Sequence, residues 1–509
     1  MRSLTRDQLA GGAFDVAHTG GAPIPPVTIL QVGDGNFLRG FVDWMVDVAN
    51  GQGLTNAGVA IAQPLDQGIS GLLKAQDNLY TVLLRGIGNG REVESRRVVS
   101  CVADALNPYA DWARMVELTS SPALRFFVSN TTEAGIADRE EPYTPGTCQD
   151  SFPAKVAALL HARYTALGGT ADSGLVFLPC ELIEANGSNL KRIVLAHAKR
   201  WGLEAGFADW IETHNHFLNT LVDRIVPGYP RDEAAALAAK WGYDDKLAVA
   251  AEPFHVWVIE GPAHLADELP LHKAGLDVVW TDDLQPYRTR KVRILNGAHT
   301  ASALAAYCAG LDTVKSMMDD PTVSAYLNKV MFEEIVPYVP LPEAERQDYA
   351  RTIMERFGNP YIRHELISIA LNSVSKWQVR VLPSLKDAVA RNGRAPAGLS
   401  FSLAALLRFY RGTLADGAYA GRREAGSYPI SDNAEVIAAM SAAWAAHAGD
   451  ANALVAALLS DTRLWKEDLT AIPGLAARVA GSLAAIEAKG MKAAMADLVA
   501  DLVADPVAG

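Results

Sequence analysis

The densest chemistry in the chain lies in the segment Arg290-Lys291-Val-Arg-Ile-Leu-Asn296-Gly-Ala-His299-Thr300. Hydride transfer to a carbonyl leaves negative charge on its oxygen, and a lysine can supply the proton if desolvation or nearby positive charge makes it acidic enough. Arg288, Arg290 and Arg293 are such neighbours. Asn296 can donate a hydrogen bond to the same oxygen, as one half of an oxyanion hole, and His299 can orient a substrate hydroxyl. On a helix Asn296 and His299 are an i, i+3 pair and lie side by side. Lys291 falls about 140° from Asn296 at about 100° per residue, so its side chain has to reach round for all three to share one cleft. The same residues have a plainer reading, in which the lysine is solvated and the histidine satisfies a local hydrogen bond; spacing alone leaves both open.

A second constellation stands near the N-terminus. The apolar run 27–32 meets Gly33-Asp-Gly35 and passes into an amphipathic stretch, 37–50. Strand, glycine turn and helix in that order form a phosphate cradle. The first glycine permits the tight turn, the second admits a pyrophosphate to the backbone, and the helix N-terminus supplies N–H donors. The third glycine of the dinucleotide fingerprint is absent, since Leu38 stands there. Where an acidic residue is expected to bind the adenosine ribose, at the end of the second apolar run, Gln63 stands instead, with Asp66 three residues on. Asn130-Thr-Thr-Glu133-Ala-Gly135 follows another apolar run, and it fits either a nicotinamide-ribose contact or a capped loop. Gly33, Gly35, Asn36, Phe37, Gln63, Asn130 and Glu133 are therefore the candidate residues for a nicotinamide dinucleotide, and Gln63 leaves NAD and NADP both open.

These groups need a scaffold. At 509 residues the chain exceeds one ordinary core. Apolar runs at 27–32, 58–62, 80–84, 124–128, 174–178, 254–259 and 276–280 alternate with helical patterns such as 108–118 and 153–167, which points to a parallel sheet. Residues 1–26, rich in Gly and Pro, read as a leader. From about residue 286 helical periodicity takes over, strongest in 451–460 and 475–488. The expected fold is an α/β Rossmann-type domain with a parallel sheet over 1–285, followed by a mainly α-helical domain over 286–509 that carries substrate and catalysis.

Composition excludes several functions. A net charge of −12 without a long basic run argues against nucleic-acid binding. No stretch of about 18 uncharged apolar residues exists to cross a membrane, and the first residues lack a signal peptide's apolar core. Cys101, Cys148, Cys180 and Cys308 form no close pair, so neither a zinc site nor a disulfide framework is expected and the setting is cytoplasmic. His214 and His216 fall in 210–224, which reads as helix and would split the rings across faces; no metal is expected. The partner is a small molecule, and the chain a monomer or weak oligomer.

Taken together, Gln31-Val-Gly-Asp-Gly-Asn-Phe-Leu-Arg39, Leu221-Val-Asp-Arg-Ile-Val-Pro227 and the K-x4-N-x2-H spacing resemble the long-chain mannitol dehydrogenase family of polyol and sugar-acid dehydrogenases. The segments 130–135, 179–183, 228–232 and 294–300 resemble a sugar-acid branch of it. The resemblance implies a metal-independent reaction with NAD as the cofactor. It makes Lys291 the acid–base lysine, Asn296 and Asn186 the pair on the substrate oxygen, and His299 the orienting histidine. Asp223 and Lys376 would then stand on the substrate side. The chain departs from the mannitol pattern where Arg288 replaces a glutamate, Gln63 an acidic residue and Ser368 an arginine. Extra positive charge suits a substrate with its own carboxylate, for which Arg288, Arg363, His364, Lys376 and Arg380 are the candidate cations.

Overall fold

Six short strands carry the first half of the chain: β1 (Val27–Val32), β2 (Gly58–Ala62), β3 (Val102–Leu106), β4 (Phe126–Ser129), β5 (Val176–Pro179) and β6 (His216–Phe217). In the computed structural model, which describes residues 2–18, 23–88, 90–415 and 418–504, they form one sheet in the order β6-β5-β4-β1-β2-β3. Every neighbouring pair is parallel. This is the doubly wound order, whose direction reverses between β1 and β4. Both faces are covered, so alternate residues serve two cores. Ile29, Val59, Ile61 and Val128 pack with Phe41 and Met45 on one side. Leu30, Ala60, Phe127 and Phe177 pack with Leu159 and Val194 on the other.

The contacts divide the chain into two units, Met1–Gly86 with Glu92–Leu284 and Ile87–Arg91 with Gln285–Gly509. Several elements of the first unit differ from their sequence reading. The run at 80–84 is not in the parallel sheet; it belongs to Tyr80–Gly88, in a four-stranded sheet with Arg91–Val99, Val249–Ala251 and Ala17–His18. Val256–Glu260 and Val278–Thr281 form a third sheet with Asn219–Asp223. The helical reading of 210–224 fails after His214, where Asn215 turns the chain. Its Nδ2 donates to the Trp210 carbonyl at 3.1 Å and its Oδ1 accepts from Leu175 N at 2.9 Å. Residues 2–18 are no loose leader either. Leu4, Leu9 and Phe14 are buried in a small core with Leu79, Leu83, Trp241 and Tyr243.

The second unit is mainly helical. Its central helix, Ala397–Phe409, is buried along nearly its whole length, and Leu475–Lys489 lies against it. An antiparallel three-stranded sheet, Gly412–Ala415, Ala418–Arg423 and Gly426–Pro429, interrupts the helices and was not anticipated.

Candidate active site

The glycine turn sits at the carboxyl end of β1, where the sheet order reverses. Gly33 has φ +136°, and a Cβ there would stand 2.8 Å from the Asn130 carbonyl oxygen and 2.9 Å from Leu38 Cδ1. Only glycine fits that approach of the turns after β1 and β4. Gly35 is different. Its φ is −68°, which any residue adopts, and nothing lies within 4 Å of its Cβ position. The space above Gly35, at the start of the helical run Asn36–Leu38, Arg39–Asp43 and Trp44–Gly51, fits a dinucleotide phosphate held by backbone N–H groups.

Beneath the turn lies a buried polar brace. Gln31 Nε2 donates to the Gly33 carbonyl at 3.1 Å and to Asp43 Oδ2 at 3.3 Å. Tyr80 donates to the same Asp43 oxygen at 2.7 Å. Burial raises Asp43 to about 7 against these hydrogen bonds. Arg39 donates to the carbonyls of Asp34 and Leu247 and to Asn36 Oδ1, at 3.1, 2.6 and 2.7 Å. Asn36 is therefore part of the brace, while Phe37 stacks on Phe41 with centroids 4.9 Å apart.

Gln63 ends β2 as expected, but its side chain turns inward. Its Nε2 donates to the carbonyls of Leu65 and Asp66, and its Oε1 accepts from the N–H and hydroxyl of Ser70. It shapes the loop instead of offering a group to a ribose. Asp34 grips the same loop by accepting from Ile69 N at 2.7 Å. In the loop after β4, Asn130 is half-buried and Glu133 exposed. Buried Glu181 ties that loop down, accepting from Ser129, from Thr131 N and from the Thr131 hydroxyl.

Asn186 departs from its expected role. Its Nδ2 donates towards the carbonyls of Pro179, Glu181 and Thr220 at 2.9, 3.1 and 3.1 Å. Its Oδ1 accepts from Gly187 N and Thr220 N, both at 2.9 Å. Both polar atoms are spent inside the unit, so Asn186 positions the turn before the helix Asn186–Arg200 and has no donor left for a substrate. Asp223 is buried at the end of its strand. The next residue, Arg224, donates to the carbonyls of Glu252 and Gly40 and lies 4.3 Å from the Trp44 ring centroid.

In the second unit Lys291, Asn296 and His299 lie on one continuous helical run. An α-helix over Gln285–Arg290 passes into a π-helix over Lys291–Asn296 and returns to α over Gly297–Cys308. In a π-helix the bond spans i to i+5 and a turn takes about 4.4 residues, so residues five apart lie only about 50° round the axis from one another. The separation of about 140° expected for an α-helix is thereby narrowed to about 50°, which brings Lys291 and Asn296 towards one face of the helix. Both are half-buried, as is His299. The His299 ring stacks on Phe357 with centroids 4.1 Å apart and meets the His364 ring edge-on at 5.2 Å.

The neighbouring cations sort themselves. Arg290 pairs with Glu345 at 2.8 Å and lies 4.3 Å from the Tyr349 ring centroid. Arg293 pairs with Asp387 at 2.7 Å and donates to Ser384. Both face their own carboxylates, so neither adds free positive charge beside Lys291. Arg288 is three residues before Lys291, on the same side of the helix. Arg363 is 80% exposed and paired with Glu365. Burial lowers the pKa of His364 and of Lys376, whose Nζ donates to the Ile369 carbonyl at 3.0 Å. Ser368 only caps its own turn, donating to the Glu365 carbonyl. Among the described residues no group of three or more His, Cys, Asp or Glu side chains is placed to hold a metal ion.

A doubly wound domain with a phosphate turn at its switch point, followed by a helical unit bearing a lysine–asparagine pair, defines a nicotinamide-dependent oxidoreductase. Residues 27–273 match the mannitol dehydrogenase Rossmann domain and residues 283–487 the mannitol dehydrogenase C-terminal domain. The chain belongs to the mannitol dehydrogenase family. An altronate oxidoreductase of Yersinia enterocolitica is 44% identical over 475 residues, covering 92% of this chain and 96% of that protein. One from Klebsiella pneumoniae is 43% identical, covering 98% and 100%. One from Halalkalibacterium halodurans is 43% identical, covering 93% of each. Two solved structures share the fold at 23% identity. A D-sorbitol dehydrogenase has TM-score 0.77 over 97% of this chain and all of its own. A Pseudomonas fluorescens mannitol 2-dehydrogenase in complex with NAD and D-mannitol has TM-score 0.67 over 98% and 99%.

Proposed function

We propose that the protein catalyses the reversible NADH-dependent reduction of D-tagaturonate to D-altronate, without a metal. The observation that supports the chemistry is the π-helix over Lys291–Asn296, which narrows the angle between the two side chains and so suits them to one substrate oxygen. The substrate follows the altronate oxidoreductases at 42–44% identity. The preference for NADH over NADPH is supported by residues 63–70, which carry the acid Asp66 and no Lys or Arg to receive a 2′-phosphate.

When bound, the nicotinamide supplies hydride to the carbonyl carbon, or takes it back in the oxidising direction. Asn296 holds the oxygen as it gains negative charge, and Lys291 Nζ delivers the proton that makes it a hydroxyl. In reverse, neutral Lys291 takes that proton. The stack on Phe357 fixes the plane of the His299 ring, which suits it to orient a neighbouring hydroxyl. Arg288 brings positive charge to the lysine side. Asn186, Gln63 and Glu181 shape turns of the first unit, on the cofactor's side. The test is loss of NADH absorbance with a panel of hexuronates and neutral ketoses. Activity on D-tagaturonate above D-fructuronate and D-fructose is expected, and no turnover of any hexuronate would refute the assignment.

A further inference from the structure

A hexuronate brings a carboxylate that the reaction centre leaves without a partner. Of the candidate cations, Arg363 is engaged with Glu365 and Lys376 with a backbone carbonyl, and burial disfavours the charged form of His364; Arg290 and Arg293, nearer Lys291, pair with Glu345 and Asp387. Arg380 differs. It is half-buried on the helix Ser373–Arg380 and pairs with no carboxylate among the described residues. Its one side-chain hydrogen bond among the described residues is a long one, from Nη1 to the Thr300 hydroxyl at 3.4 Å. Burial depresses its pKa with no opposing charge. A partly desolvated guanidinium without a counter-ion is unfavourable, and an incoming anion relieves it.

Its place along the helix is informative. The Arg380 carbonyl oxygen lies 3.0 Å from the Cβ position of Gly297, and Nη1 reaches Thr300. At about 100° per residue, Thr300 is about 40° round the helix from Asn296, and His299 about 60° the other way. Asn296 thus faces out between Arg380 on one side and His299 with Phe357 on the other. Thr300 is also about 6 Å along the axis from Asn296. In D-tagaturonate four carbon–carbon bonds separate the keto carbon from the carboxylate carbon, a span of about 5 Å when extended. The two distances match.

We propose that the Arg380 guanidinium, held at Thr300 one helical turn from Asn296, receives the substrate carboxylate and sets selectivity for sugar acids over neutral ketoses. This rests on the sugar-acid reading above. The test compares the wild type with Arg380→Met and Arg380→Lys on D-tagaturonate and on D-tagatose, its neutral counterpart. NADH titration and thermal unfolding confirm that each variant is folded. Arg380→Met should lose about 10–100-fold in kcat/KM on the acid, mainly through KM, and change less than about threefold on the neutral ketose. Arg380→Lys should fall between. A folded Arg380→Met that keeps the wild-type preference, or loses both substrates equally, overturns the assignment of Arg380 alone. A wild type inactive on every hexuronate overturns the sugar-acid reading beneath it.

Discussion

The two glycines of the turn should fail in opposite ways when replaced. At Gly33, alanine must adopt φ +136° and place its Cβ 2.8 Å from a backbone oxygen and 2.9 Å from Leu38. The backbone strain costs about 1–3 kcal/mol, and overpacking adds about 1–3 kcal/mol more. In a unit of this size each kcal/mol lowers Tm by about 2–4 °C, so Gly33→Ala should lose at least about 4 °C before any ligand is added. At Gly35 the backbone is ordinary and the Cβ position open. Gly35→Val should therefore unfold within about 2 °C of the wild type, since a substitution that touches nothing stays within about 0.5 kcal/mol. With cofactor the order reverses, because the valine side chain fills the space left for the pyrophosphate. Calorimetric titration with NADH should show its Kd raised at least tenfold, each tenfold being about 1.4 kcal/mol. Unchanged NADH affinity in a folded Gly35→Val protein would mean that the turn is only a turn. An undisturbed Tm in Gly33→Ala would refute the steric argument.

Lys291→Ala should lower kcat by about 10²–10⁴ with NADH binding intact, and the rise of kcat/KM for altronate with pH should disappear; a variant that keeps both its rate and its pH limb has a different acid. Asn296→Ala should cost about 10²–10³ in kcat, and a loss confined to KM would place it off the reacting oxygen. Activity should survive exhaustive chelation, because the proposed proton donor is a side chain; loss restored by a divalent ion would overturn the mechanism. Asp43, raised to about 7 from 3.8 by burial, binds its proton more tightly in the native state. Its contribution to stability is full below about pH 4 and is lost as pH rises through 7, by at most about 1.4 kcal/mol per pH unit. Urea titrations should show a wild-type minus Asp43→Asn difference that shrinks over that window, and a difference equal at pH 4.5 and 7.5 would show that Asp43 ionises normally.

How far the sequence reveals the fold depends on how local the cause is. β1, its glycine turn and its helix were legible because their signals lie within about twenty-five residues. So were most strands of the parallel sheet, whose two buried faces demand near-continuous apolar runs. The other sheets were not, because Tyr80–Gly88 pairs with Val249–Ala251 across more than 160 residues, and nothing in either run announces its partner. The helix stop at His214 was missed for a related reason. Asn215 ends it by bonding to Leu175, a contact invisible in the local pattern. Gln63 and Asn186 show the same limit at the site. Their types and positions suit a ligand, yet each is consumed by its own turn, and only the hydrogen-bond partners reveal it.

The lysine motif teaches something more specific about spacing. Read at 3.6 residues per turn, K-x4-N sets the two groups on different faces and makes shared chemistry awkward. In the π-helix that the run Lys291–Asn296 adopts, at about 4.4 residues per turn, the same spacing leaves the two groups only about 50° apart. A π turn is less favourable than the α-helix that flanks it here, so it persists only where packing holds it. The side chains inside it show that packing. Ile294 and Leu295 are buried, and Arg293 is pinned to Ser384 and Asp387. The residues between the lysine and the asparagine thus hold the wider turn that brings Lys291 and Asn296 towards one face of the helix.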